Sequence, residues 1–242
     1  MVVLFLFAII VLELLFPIQK MRFLKAGFIS DFAWHFVIQS TLLDLCLIRF
    51  LDQYTRSHSL HLFSNQPIYV QFILVFVLIE FLNYWLHRFV HMSGLMWRFH
   101  EVHHSSTELN WLSGVRAHPI DGIIFAVLNA IVFCSIGADF SVAVIIGTIE
   151  GMHGMYKHAN FRNNPGFLRY FIVTTDMHRC HHLNEMKYQK SNYGNTLSIF
   201  DWIFGTAILP HKEEYKTLTY GTDKNYPQTF YKQLIHVFRR IN

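Results

Sequence analysis

The chain has 242 residues, of which 52% are hydrophobic, 17% aromatic and only 15% charged, a composition that excludes an ordinary soluble surface and points to a membrane. A net charge of +4 carried by scattered Lys and Arg gives no footprint for nucleic acid, and three Cys are too few for a disulfide framework and fit a reducing compartment. Sixteen His equal all the carboxylates combined.

Residues 2–16 form the first apolar run, ended by Pro17, with neither a basic leader nor a small-residue cleavage site. That pattern predicts an anchor helix rather than a signal peptide. Further apolar stretches follow at Asp31–Leu51, Pro67–Val90, Ile120–Ile136 and Phe140–Met155. Only Gly137, Ala138 and Asp139 separate the last two, which predicts an antiparallel helical hairpin. Placing Lys20, Arg22 and Lys25 inside leaves only Arg49 and Arg56 outside. The N-terminus is therefore expected outside, with residues 87–113 and 158–242 on the cytoplasmic face. The expected fold is all-α: an integral membrane bundle of about four to five membrane helices with a cytosolic histidine-rich helical cap. It reads as one domain over 1–242, with anchor helices in 1–75, a histidine-box catalytic region over 76–206 and a C-terminal cytosolic tail over 207–242.

The cap residues carry the chemistry. His87 and His91 stand at i and i+4 on the third helix, followed by His100, His103 and His104, and far downstream by His178, His181 and His182. On a helix the spacing i, i+3, i+4 points one way, so each HxxHH box can offer three nitrogens to one point. A lone histidine is normally a hydrogen-bonded core or interfacial residue. Eight at ligand spacing would, without a metal, accumulate positive charge or leave buried nitrogens unpaired at about 1–3 kcal/mol each. They exceed the needs of one ion and predict two, and imidazole alone does not choose among iron, zinc, copper and nickel.

The three motifs, His87-Arg-Phe-Val-His91, His100-Glu-Val-His-His104 and His178-Arg-Cys-His-His182, resemble the histidine boxes of the fatty acid hydroxylase superfamily. Ser105, Asn110, Arg116-Ala-His118-Pro119, His158-Ala-Asn160, Asn192-Tyr-Gly194 and the segment Asp201 to Thr206 extend the resemblance over roughly residues 76–206. The sequence departs from the family pattern at Glu80 (usually Asp), Thr175 (usually Pro) and Phe200 (usually Trp). The resemblance implies an O2-dependent di-iron enzyme that hydroxylates or desaturates a lipid with electrons from a separate electron-transfer protein. Two iron ions are its implied cofactors, zinc being able to replace them in purified material. It implies His87, His91, His100, His103, His104, His178, His181 and His182 as ligands, with His118 and His158 as additions. Glu80, Asn160 and His153 are expected around the ligands, each with a plain packing or interfacial role as its alternative, and Arg88 and Arg116 are expected to be structural.

Two other readings use the same residues. His100-Glu101-x-x-His104 is formally the HExxH of zinc proteases, with Glu101 as general base, but it leaves most of the boxes idle. A non-enzymatic membrane metal-binding protein is the other. An alkyl C–H bond offers no acidity that a side chain could exploit, so the lipid-oxidising reading needs a redox metal and O2. Phe81, Tyr84, Trp85, Trp97, Phe99 and Trp111 either wall a lipid slot or serve as core and interface anchors.

Overall fold

A computed structural model describes residues 2–21, 27–35, 50, 53, 57, 63–163, 165–209 and 219–239. Most of the apolar stretch at 31–51, and with it Arg49 and Arg56, lies outside the described residues, as do Arg22 and Lys25. Among those described, the chain is helical, with only isolated β-bridges. Its helices are α1 Val2–Leu15, α2 Phe28–Ala33, α3 Ile68–Met92, α4 Gly94–His104, α5 Pro119–Ile136, α6 Phe140–His158, α7 Thr175–His181, α8 Met186–Gln189, α9 Ile199–Ile203 and α10 Phe230–Arg239.

The apolar half is built from α3, α5 and α6, which bury Val75, Ile79, Val132, Phe133, Ile136, Val142 and Ile146 against one another. Close packing across this seam holds the three helices together through dispersion contacts. The hairpin of α5 and α6 has its expected short link. Gly137 takes the left-handed conformation that ends α5 (φ 69°), and the Asp139 carboxylate caps α6 by accepting from Ser141 N at 2.8 Å. Gln71 on α3 accepts from Asp139 N at 2.7 Å and ties the hairpin tip to its neighbour.

Outward faces of these helices stay apolar: Ile73, Val77 and Phe89 on α3, Val127 and Ile131 on α5, and Val144 and Ile145 on α6 are exposed. A belt of this kind marks a surface that meets something other than water. Among the described residues two helices, α3 and α5, are long and apolar enough to cross a bilayer, against the four to five expected. The first apolar run falls short for a measurable reason. With 14 residues α1 reaches about 21 Å, less than the roughly 30 Å of a hydrocarbon core.

Its C-terminal end docks on the cap, where Glu13 accepts from Trp111 N at 2.9 Å and Asn160 N at 2.6 Å. The C-terminal segment also packs back. Val237 on α10 joins Tyr226, Trp34 on the turn after α2, and Val102 on α4 in a small core.

Candidate metal centre

Four helices deliver the histidines to one place. The end of α3 carries His87 and His91, and the chain breaks at Ser93, whose side chain caps α4. The new helix turns His100, His103 and His104 back toward α3. His158 is the last residue of α6, His178 and His181 belong to α7, and His182 caps its end.

Nine rings gather in two groups. Ligand nitrogens of His87, His91, His100, His104 and His181 lie within 4.8 Å of one another, and so do those of His103, His158, His178 and His182. The two groups abut where the His104 and His182 rings stack, with centroids 4.2 Å apart.

Tautomers follow from the partners. His87 Nδ1 meets the Tyr193 carbonyl at 2.8 Å, His103 Nδ1 that of Arg116 at 2.8 Å, His158 Nδ1 that of Gly154 at 2.7 Å and His181 Nδ1 that of Ser191 at 2.6 Å. His100 Nδ1 meets the Asp121 carboxylate at 3.0 Å. All five partners are acceptors, so each Nδ1 carries the proton and each Nε2 presents a lone pair. Yet His87 Nε2 stands 3.1 Å from His100 Nε2, and His103 Nε2 stands 3.2 Å from His158 Nε2. Two lone pairs at that distance repel unless a positive centre lies between them.

Protons are poor candidates for that centre. In the second pair burial, then the charge of a neighbouring imidazole, holds His158 well below the ordinary histidine range and lowers His103 to about 3, and the same causes hold His104, His181 and His182 low around them. Both His104 nitrogens, His178 Nδ1, His181 Nε2 and His182 Nδ1 are buried without a hydrogen-bond partner. Neighbouring ligands at about 2.1 Å from one ion stand roughly 3 Å apart, the separation found in each group. The donor set therefore fits metal ions, one to each group.

Histidine 118 joins neither group. Its Nδ1 accepts from Ile120 N at 3.2 Å, capping α5, and its Nε2 faces the Leu234 carbonyl at 3.3 Å. Both nitrogens are used, so the ring serves as a helix cap in an aromatic pocket beside Phe99 and Trp34. His153 also stays outside, its ring 5.4 Å from that of Tyr156. Glu80 touches no ligand ring; its carboxylate accepts from Thr196 N and Leu197 N, both at 2.7 Å, and fixes the loop after the third box. Asn160 likewise binds backbone, accepting from Gln19 N at 3.1 Å and donating to Gln19 O at 2.8 Å. It anchors the segment after α1 rather than a ligand. Arg116 has the structural role expected of it: fully buried, it pairs with Asp31 and donates to Ser105 Oγ at 3.1 Å. Arg88 donates to Tyr84 Oη at 3.3 Å and lies over the Trp85 ring.

Other residues prove more important than the sequence indicated. Asp121 orients His100. Arg179, inside the third box, donates to the Leu109 and His158 carbonyls at 2.9 and 3.1 Å. The Asn192-Tyr193-Gly194 motif positions the carbonyl that holds His87. Asn192 adopts φ 51°, which Asn tolerates better than most residues, and its amide bonds Met177 O, Ile208 O and Ile208 N. Asp201 accepts from Tyr193 N at 2.7 Å and Gly194 N at 2.8 Å. A Cβ on Gly194 would come within 2.5 Å of Leu197 O and 2.8 Å of Asp201 Oδ2, so only glycine fits.

A cavity of about 540 Å³ reaches His87, His100, His103 and His158 and extends between α3, α5 and α6. None of the six aromatic residues considered as slot walls lines it. Glycine, alanine and asparagine do, together with Phe125 and the ionisable pair Glu150 and Lys157.

The fatty acid hydroxylase family model matches residues 72–206, more than half of the chain. The protein belongs to the fatty acid hydroxylase family. All nine grouped histidines fall inside the matched region. Relatives include the ornithine lipid hydroxylase OlsE of Rhizobium tropici, 31% identical over 76% of this chain and 55% of its own length. An alkylglycerol monooxygenase of Xenopus tropicalis is 32% identical over 58% of this chain and 31% of its own. A putative Delta(7)-sterol-C5(6)-desaturase 2 of Arabidopsis thaliana is 28% identical over 58% of this chain and 49% of its own. The chain thus spans about half the length of these relatives, or less. No solved structure matches. Within the family, lipid oxidation is the shared theme of these three names, and it accords with apolar helices beneath a histidine cluster.

Proposed function

We propose that this protein is an integral membrane oxidoreductase that uses O2 to hydroxylate or desaturate an unactivated C–H bond of a membrane lipid, whether sterol, fatty-acyl or ether lipid. The observation that carries the reading is the pair of opposed Nε2 contacts, His87 with His100 and His103 with His158, one in each histidine group. Those contacts favour two ions. In this reading both are iron, held by His87, His91, His100, His104 and His181 on one side and by His103, His158, His178 and His182 on the other. Bound there, iron supplies the O2 activation and one-electron chemistry that no side chain offers, whereas redox-inert zinc does not.

The chain's own residues do the rest. Asp121 and the carbonyls of Tyr193, Arg116, Gly154 and Ser191 keep the ring nitrogens aimed inward, as supporting partners do in metal sites generally. The slot between α3, α5 and α6 admits a lipid chain from the bilayer side and positions one carbon beneath the rings, where a shift of about an ångström decides between alcohol and alkene. Electrons come from a separate protein docking on a basic cytosolic face. Lys20 and its basic neighbours support a multi-pass arrangement with the boxes on the cytoplasmic side. A zinc-protease use of His100 and His104 with one further ligand would leave most of the other grouped rings without a role.

The test is purification with metal analysis, followed by lipid profiling of cells with and without the protein, with His103→Ala as control. Two irons per chain, O2 uptake that depends on lipid and reductant, and an oxidised lipid absent from the control are expected. An unchanged lipid profile, or no bound transition metal, would overturn the reading.

A further inference from the structure

The slot contains three carboxamides that the site above does not use; Asn195 accepts from Lys157 and donates to Glu150, which leaves two. Asn83 lies on α3 one turn before His87 and is 3% exposed, and Asn129 lies on α5 two turns beyond Asp121. Both line the cavity, and the side-chain oxygen of each is buried with no hydrogen-bond partner. An unmet acceptor costs about 1–3 kcal/mol, more where no water reaches it. Polar groups on membrane helices that face an internal cavity typically mark a substrate path.

Space has been kept for an occupant opposite them. Gly147, Gly151 and Gly154 fall on one face of α6 and line the same cavity, and a Cβ built on any of the three would meet nothing within 4 Å. Gly147 and Gly151 are exposed, so this wall of the slot opens outward.

We propose that the slot seats a lipid carrying a hydrogen-bond donor, a hydroxyl or an amide N–H, with Asn83 and Asn129 as its acceptors. Four residues separate Asn83 from His87 and eight separate Asn129 from Asp121, so at 1.5 Å per residue the acceptors lie roughly 6 and 12 Å below the histidine level. The donor group is thereby held within that span of the carbon to be oxidised. Ethers and esters without N–H or O–H satisfy neither oxygen. The inference rests on the lipid-oxidising reading and narrows its substrate class.

The experiment measures lipid binding by native mass spectrometry on the metal-free full chain, so that no activity is needed. Four probes of matched chain length are octadecanol, N-methyloctadecanamide, methyl octadecanoate and methyl octadecyl ether. The alcohol or the amide should bind about tenfold more tightly than the ester and ether, equivalent to about 1.4 kcal/mol, and the tighter of the two identifies the donor. In an Asn83→Leu/Asn129→Leu double variant the donor lipids should fall to the ether's affinity while the ether itself binds as before, which also shows that the variant is folded. Gly151→Leu should block all four probes. Equal binding of the four to the unaltered protein would mean that the two amides do not select for a donor, and the inference fails. It fails equally if the double variant keeps its preference or Gly151→Leu leaves binding unchanged. A protein that oxidises lipids without regard to a donor keeps its function and loses this seat; one that binds donor lipids and oxidises none keeps the seat and loses the function.

Discussion

The Asp121 carboxylate stands 3.0 Å from His100 Nδ1, one turn into the helix that His118 caps. It fixes the ring so that the opposite nitrogen meets His87, and it is the one side chain that does this work for a grouped histidine among the described residues; the other fixed rings use backbone carbonyls. Asp121→Ala should therefore weaken metal binding by about 10–100-fold, read as metal retained against a graded chelator. Asp121→Asn, which keeps an acceptor oxygen, should recover much of the loss.

His118 and His103 separate two kinds of histidine. His103 presents Nε2 to His158, whereas His118 uses both nitrogens on backbone groups. His103→Ala should lower the metal content by about one ion per chain with little thermal cost in the metal-free protein. His118→Ala should retain both ions and lose stability by about 1 kcal/mol, the usual cost of a lost helix cap. Elemental analysis and thermal melts of the two variants check the pair; loss of metal from the His118 variant would restore it to the ligand set.

That nine of the ten expected ligands lie together while His118 stands apart has a physical basis. Within a box, i, i+3 and i+4 spacing on a helix dictates a common direction, so His100, His103 and His104 all face the centre; they do not meet at one point, because His100 and His104 join one group and His103 the other, as His181 parts from His178 and His182. His118 has no such neighbour, and a ring before Pro119 is equally suited to capping. The supporting shell was hidden for a related reason. Carbonyls of Tyr193, Arg116, Gly154 and Ser191 belong to the backbone and leave no residue-type signal, and Asp121 in a first helical turn reads simply as a favourable helix-dipole charge. Glu80 and Asn160 were located near the site, but their partners are backbone atoms of residues 196, 197 and 19, far away in sequence. The apolar hairpin was legible from its three-residue link. The length of the first helix was not, because hydropathy marks where apolar residues run and not where the helix stops, and α1 ends after 14 residues.

Gly194 lies in the loop that holds His87, and the space a methyl group would need is taken by Leu197 O and Asp201 Oδ2. Gly194→Ala should cost about 1–3 kcal/mol by overpacking and displace the Tyr193 carbonyl. Lower thermal stability should thus come with weaker metal retention, whereas Gly166→Ala, at a site with nothing within 4 Å of its Cβ, should lose stability through its positive φ without affecting the metal.

Arg116 and Asp31 form an ion pair with both side chains fully buried. Removing one partner strands the other charge, so Arg116→Met should destabilise by about 3–5 kcal/mol. Asp31→Leu combined with Arg116→Met should recover most of that loss, since a buried pair replaced by apolar groups is often neutral. Chemical denaturation in detergent of the two single variants and the double variant measures the coupling; additive losses would show that the pair does not act as a unit.

Acid should unfold the metal-free protein early. His103 is lowered to about 3 by burial and then by the nearby His100, and His104, His178, His181 and His182 are lowered by burial first and then by other neighbouring imidazoles. In the unfolded chain each returns to about 6.5. Between these limits the unfolded state binds protons that the folded state refuses, so stability falls as the pH drops below about 6.5 and keeps falling toward 3. One such ring costs up to about 1.4 kcal/mol per pH unit over that window, and several acting together make the slope steep. Above pH 7 the same groups contribute no pH dependence. Melting temperatures of the metal-stripped protein should therefore be level from pH 8 to 7 and drop sharply from 6.5 to 5. Equal melting temperatures at pH 7 and pH 5 would mean that the rings accept protons in the folded state, and the lone-pair argument for metal would lose its footing.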